Sequence, residues 1–199
     1  MKFSRTLSTI IIIVLACFVS AEDLDPQDQP EQTGLAEEKR VPIEKSIGSY
    51  QFTITPVASY RIAARVLGRE RYWLGWEATL SPLDLALGWG EMSRTSVDDW
   101  ISWNQSMRWY FYEWSAGSPY GEKEIREQSA NVHIIPATEM VYEKVLDVEE
   151  GDTIYLEGYL VNVQGTRKQQ RYHWSSSLTR EDTGQGSCDL LYVERVVKQ

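Results

Sequence analysis

Apolar and polar positions alternate along most of the chain after residue 50. The stretch "YQFTITPVASYRIAARVL", which starts at Tyr50, alternates and is rich in β-branched and aromatic residues. This pattern predicts a long β-strand, in which Pro56 marks an edge or a bulge. Five more stretches predict strands in the same way: "MRWYFYEWS", "NVHIIPA", "DTIYLEGYLVNV", "QRYHWSSSL" and "DLLYVERVV".

Three shorter stretches carry the signals of helix ends. They are "SPLDLALG", with Ser81 as N-cap and Gly88 as the stop, "SVDDWISWNQSM", with a cap at Ser96, and "TEMVYEKVLD", with a cap at Thr138. In the second, Trp100, Trp103 and Met107 would share one helical face. We therefore expect a mainly β fold of the α+β class, built as a small bent sheet or an OB- or SH3-like β-barrel with about three short helices.

The two ends of the sequence differ in composition and define three segments. Residues 1–21 have a charged start, a short apolar run and a Val-Ser-Ala site, as a secretory signal peptide has. Residues 22–40 contain seven acids and two prolines, which predicts a disordered acidic spacer. Residues 41–199 have the size of one domain and hold all eight tryptophans, so we expect a single β-rich globular domain there.

An exported protein could be anchored to a membrane or released as a soluble protein, depending on how its amino-terminal end is processed. The stretch "VLAC" resembles a lipoprotein box, which would anchor the protein to a membrane through a lipid on Cys17. A cut after Ala21 instead gives a periplasmic protein and removes two positive charges, so the formal net charge goes from −9 to −11. This charge argues against nucleic acid as a partner. An unknown envelope protein or a small ligand remains possible as the partner.

After that cut Cys188 is the one cysteine left, and its chemistry depends on its neighbours. A catalytic cysteine needs a base that forms and holds the thiolate, and the chain offers only His133 and His173 for this role. The alternative is that Cys188 is a small buried side chain without a catalytic role and that both histidines are structural. Two histidines and one cysteine do not form a recognisable zinc site, so we expect neither a metal nor a cofactor.

A binding surface is the other candidate. "LGWGEM" places Trp89 between two glycines, which favours an exposed loop. In "TREDTGQGSC", Arg180 precedes a glycine-rich loop that could bind an anion, although Asp182 could equally cap an ordinary hairpin turn.

Two resemblances bear on the fold and the site. "EEGDTIYLEGYLV" is similar to the first strands of thermonuclease-type OB-folds, without the calcium and phosphate ligands of that family. Three blocks resemble an uncharacterised family of exported bacterial proteins, "SPxDLALGWG" at residues 81–90, "SANxHxIPA" at 129–137 and "SSLTRxDTGxGxCEL" at 176–190, with Asp189 in place of glutamate. This likeness implies an envelope protein and no particular activity. The blocks contain Trp89, Asn131, His133, Arg180, Asp182 and Cys188.

From these patterns we expect an exported bacterial envelope protein that acts as a non-catalytic binding or accessory module. Its ligand or partner would be bound by Trp89, Asn131, Arg180 and Asp182. The alternative is a cysteine-dependent hydrolase or transferase that uses Cys188 with His133 or His173.

Overall fold

The computed structural model describes residues 25–179 and 187–199. The strands are β1 (Glu31–Gly34), β2 (Ile43–Ile47), β3 (Tyr50–Arg71), β4 (Leu83–Gly88), β5 (Ile101–Ser106), β6 (Trp109–Trp114), β7 (Ser129–Pro136), β8 (Thr153–Arg167), β9 (Gln170–Ser175) and β10 (Asp189–Lys198). The α-helices are α1 (Trp76–Leu80), α2 (Glu122–Glu127) and α3 (Glu139–Leu146). Short 3-10 turns lie at Glu37–Lys39, Gly90–Ser93 and Thr95–Asp99. The expected mainly β fold with short helices is confirmed.

Five strands pair in a closed ring. The order around the ring is β3, β4, β7, β10 and β8, and β8 pairs again with β3. All these pairs are antiparallel except β7 with β10. A five-stranded barrel with this order is the topology of the OB-fold. Strand β3 is 22 residues long and pairs with β1 and β2 as well as with its ring neighbours β4 and β8. Its register with β8 shifts at Pro56, so the predicted bulge is also confirmed.

The interior of the barrel holds the main hydrophobic core. Alternate residues of each ring strand point inward, such as Leu85 of β4, Ile134 of β7 and Leu191 of β10. Helix α3 adds Val141 and Val145 to the same core. The alternation in the sequence therefore sends the residues between them to the outer face of the barrel.

The outer face of β7 and β10 is also covered. Ile135, Leu190 and Tyr192 belong to a second cluster, against which Trp76 of α1 and Trp174 of β9 pack. The hairpin of β5 and β6 forms a separate two-stranded sheet, and its tip lies against β4 and β7 through polar contacts. Polar residues of the outer face are thus enclosed between the barrel and the hairpin.

Two of the three predicted helices are wrong. The first is strand β4, because the alternation of Leu83, Leu85 and Leu87 fits a strand that fills the barrel, and this burial outweighs the capping signals. The second is the 3-10 turn Thr95–Asp99 followed by strand β5. The third is confirmed as α3, and the Thr138 hydroxyl accepts a hydrogen bond from the amide of Val141.

The predicted acidic spacer differs from the structure over residues 25–40. Strand β1 pairs with β3, and the Arg61 guanidinium lies 2.6 Å from the Glu31 carboxylate. Composition alone predicts disorder here, but the backbone of β1 satisfies its hydrogen bonds on the edge of an existing sheet, and this order needs little apolar area. The signal-peptide prediction for residues 1–21 lies outside the described residues.

None of the helices within residues 25–179 and 187–199 is long and apolar enough to cross a bilayer.

Candidate functional site

Two adjacent strands and the residue just before a third bring three polar side chains together on the outer face of the barrel. Asp84 of β4 lies opposite His133 of β7 in the antiparallel register. Leu190 of β10 is the partner of His133 in the parallel register, so Cys188, two residues earlier, lies alongside Asn131. The order of strands β4, β7 and β10 in the barrel therefore brings a carboxylate, an imidazole and a thiol together.

The contacts within this group are short. Nδ1 of His133 lies 2.9 Å from Oδ1 of Asp84, an ion-pair distance, although Nδ1 is off the direction that a hydrogen bond prefers. The Cys188 side chain lies close enough to the imidazole to raise its pKa. Asp84 and His133 are buried, whereas Cys188 is partly exposed. We call Asp84, His133 and Cys188 the thiol cluster.

Arg108 enters the cluster from the tip of the β5–β6 hairpin. Its Nη1 lies 2.6 Å from Oδ1 of Asp84, and its Nη2 donates to the Ser81 carbonyl oxygen at 2.9 Å. The guanidinium carbon stands 3.7 Å from the centre of the Tyr72 ring. The charge of the buried Asp84 carboxylate is thus shared between a guanidinium and an imidazole.

Asn131 is placed beside the sulfur. Its Nδ2 lies 3.9 Å from Sγ of Cys188 and donates to the Arg108 carbonyl oxygen at 3.0 Å. Its Oδ1 accepts a hydrogen bond of 2.8 Å from Gln105. An amide N–H directed at this position can support negative charge on the sulfur or on an oxygen next to it.

The electrostatics of the cluster favour a protonated imidazole. Burial alone lowers the pKa of His133, but the nearby Asp84 and Cys188 side chains outweigh it and raise the pKa to about 9. Burial also raises the pKa of Tyr72 to about 12, so Tyr72 stays a neutral phenol. At neutral pH, His133 is therefore a cation between a carboxylate and the Cys188 side chain.

Trp89 does not line a binding surface, which corrects the prediction of an exposed tryptophan. Its ring is fully buried in the barrel core. Its Nε1 donates to Oε1 of Gln29 at 3.0 Å, and Gly90 donates its amide to the carbonyl of Pro26. The segment before β1 thus covers this loop. The flanking glycines allow tight packing, since a Cβ at residue 88 would collide with the side chain of Leu67.

The structure separates the two histidines. His173 is exposed on β9 and lies 2.8 Å from the hydroxyl of Ser175, on the face opposite Trp174. Trp174 packs on His133 with 4.7 Å between ring centres. Only His133 therefore joins Cys188 as the sequence hypothesis requires. Arg180 and Asp182 lie outside the described residues.

Sequence reasoning missed Asp84 and Arg108. Asp84 is the single charged residue between inward-facing leucines in "LDLAL", which is a signal for a carboxylate with a specific partner once the segment is taken as a strand. The signal at Arg108 is weaker. It occupies a tight hairpin turn in "SMRW", where glycine or asparagine is usual.

Metal binding has no support among residues 25–179 and 187–199, where no group of three or more histidine, cysteine or acidic side chains could hold an ion. Comparisons with protein-family models, with curated proteins and with solved structures give no match for this chain. The argument for function therefore depends on the geometry of the thiol cluster.

Proposed function

We propose that the protein is a cysteine-dependent hydrolase or transferase in which Cys188 is the nucleophile and His133 carries the proton. The observation that supports this proposal is the meeting of Asp84 on β4, His133 on the adjacent β7 and Cys188 just before β10, with the thiol partly exposed and the other two buried. A nucleophile, a base and a group that orients the base form the arrangement that such enzymes share.

The chemistry that fits is acyl transfer. The Cys188 thiolate attacks a carbonyl carbon and forms a thioester, while the bond to the leaving group breaks and His133 protonates that group. Water or another acceptor then attacks the thioester, gives its proton to His133 and releases the thiolate. Asn131 can donate its N–H to the oxygen that becomes negative in both steps.

The first test is the alkylation of Cys188 by iodoacetamide at pH 6, followed by mass spectrometry of the folded protein. A neighbouring imidazolium stabilises the thiolate, so we expect the native thiol to react at least ~10-fold faster than the thiol in denaturant. The His133→Gln variant should lose this advantage. The matched control is His173→Gln, which removes the exposed histidine and should leave the rate unchanged.

Reaction of Cys188 only after unfolding would overturn the proposal. A second assay looks for the intermediate directly: incubation with activated esters and thioesters should add one acyl group to Cys188, detected by intact mass. The Asp84→Asn and His133→Gln variants should slow this acylation, and Cys188→Ser should abolish it. If none of the esters acylates a thiol that nevertheless alkylates quickly, acyl transfer is the wrong reaction class.

We also propose that the protein is exported to the bacterial envelope, on the basis of the signal-like residues 1–21. Mass spectrometry of the mature amino terminus tests this. A start at Glu22 without lipid fits a periplasmic protein, a diacylglycerol on Cys17 fits the membrane-anchored alternative, and an intact Met1 in envelope-free extract would contradict export.

A non-catalytic binding module remains the second candidate, with a different surface. The β5–β6 hairpin exposes Trp109 and Phe111 on the side away from the barrel. If this surface binds a partner or ligand, the Trp109→Ala and Phe111→Ala variants should keep the fold and the Cys188 reactivity while they lose binding. Pull-down of envelope proteins with the wild type and with each variant measures the difference.

A further inference from the structure

The two-residue turn at the tip of the β5–β6 hairpin is formed by residue types that are uncommon there. Met107 and Arg108 both have positive φ angles, of 51° and 73°. Non-glycine residues rarely adopt this region, and two in succession cost free energy that other contacts must offset. The turn is therefore not the one that the local sequence favours.

The contacts of Arg108 account for this cost. Its amide donates to the Tyr72 hydroxyl at 2.8 Å, and its carbonyl oxygen accepts from Asn131 Nδ2 at 3.0 Å. The Cys188 sulfur lies 3.9 Å from the same carbonyl oxygen. The backbone and the guanidinium of one residue thus reach both ends of the thiol cluster, the sulfur and the carboxylate.

The two oxygens of the Asp84 carboxylate differ in their contacts. Arg108 Nη1 and His133 Nδ1 both approach Oδ1, at 2.6 and 2.9 Å, while Oδ2 has no hydrogen-bond partner within residues 25–179 and 187–199. Two cations therefore compete for one oxygen. The positive charge of Arg108 weakens the hold of Asp84 on the proton of His133.

We infer that Arg108 is a positioning residue that regulates the site: through the shared oxygen of Asp84 it sets how firmly His133 holds its proton. This inference rests on the proposed function. The charged and titratable groups that face His133 are Asp84 on β4, Arg108 at the hairpin tip and Cys188 before β10, with Tyr72 behind Arg108. The position of the β5–β6 hairpin tip against the barrel is thereby coupled to the charge state of the His133 imidazole.

The test is the titration of the His133 imidazole by NMR in the full chain. Only two histidines are present, so a His173→Gln variant assigns the His133 signal. In Arg108→Met the competing cation is gone, and we expect the apparent pKa of His133 to rise by about one unit. Arg108→Lys retains the charge and should shift it by at most a few tenths of a unit.

Two controls separate this effect from a structural one. Met107→Gly relieves the strained turn without a change of charge, and it should leave the titration of His133 unchanged. In an Asp84→Asn background the shared carboxylate is absent, so the further change Arg108→Met should have little effect. The double variant also avoids a buried carboxylate without its guanidinium partner.

The results that overturn the inference are specific. It is wrong if folded Arg108→Met titrates like the wild type, or if Arg108→Met shifts His133 by a whole unit without Asp84. Should Arg108→Met not fold, Arg108→Gln takes its place, since it also removes the charge: a rise of about one unit would support the inference, and an unchanged titration would overturn it. Failure of the proposed function would show separately, as slow alkylation of Cys188 that does not depend on His133.

Discussion

The contribution of His133 to the stability of this protein should fall as the pH rises from 6 to 9.5. Its pKa is about 9 in the folded chain, against an ordinary value of 6.5. Between these two values the folded imidazole holds a proton that the unfolded imidazole has lost, so the contribution of His133 to the free energy of unfolding decreases with pH. The stabilisation is fully present below pH 6.5 and disappears above pH 9.

The magnitude follows from the difference between the two pKa values. One pKa unit corresponds to about 1.4 kcal/mol, so this difference corresponds to about 3 kcal/mol of stability lost across the window. That is a large share of the stability of an ordinary domain. The contacts with Asp84 and Cys188 are its source, because burial alone acts in the opposite direction.

Urea unfolding followed by tryptophan fluorescence, at half-unit steps of pH and with reductant present, measures the effect. The free energy of unfolding of the wild type minus that of His133→Gln should decrease by about 3 kcal/mol over this range. His173→Gln is the matched control, because His173 is exposed and should leave the slope as it is. A wild-type slope that persists in His133→Gln would refute the reasoning.

Three further predictions concern the barrel itself. Trp89→Ala should lower the free energy of unfolding by about 3 kcal/mol or more, measured by urea unfolding, since the ring is fully buried, whereas an exposed tryptophan would cost little. Gly158→Ala should prevent folding or give a soluble chain without the native far-UV spectrum, because its Cβ would collide with the Tyr192 carbonyl. Thr138→Ala should cost about 1 kcal/mol by the loss of the cap on Val141, and Thr138→Ser should recover most of it in thermal unfolding.

The strands were predictable because burial on one face imposes a period of two. The long alternation that begins at Tyr50 and the break at Pro56 appear in the structure as β3 and its bulge. The segment "LDLAL" carried the same period, but the cap-like Ser81 and Gly88 pointed to a helix. In this segment the capping signals favoured a helix and the alternation favoured a strand, and burial of the leucines in the barrel interior stabilises the strand.

The candidate site was predictable only in part. A thiol with a nearby base was a sequence hypothesis, and the structure brings His133 but not His173 to Cys188. Asp84 and Arg108 could not be placed, because their contacts depend on which strands become neighbours and on how the hairpin folds back. Strand pairing across the chain is not encoded in local alternation.

The parallel pairing of β7 with β10 also bears on when the thiol cluster forms. During synthesis the chain emerges from its amino-terminal end, so β4 and β7 can pair long before β10 is available. Non-local parallel pairing is slow because a long loop must close first. In a partly folded chain Cys188 therefore lacks its contact with Asn131, which arises only in the step that closes the barrel.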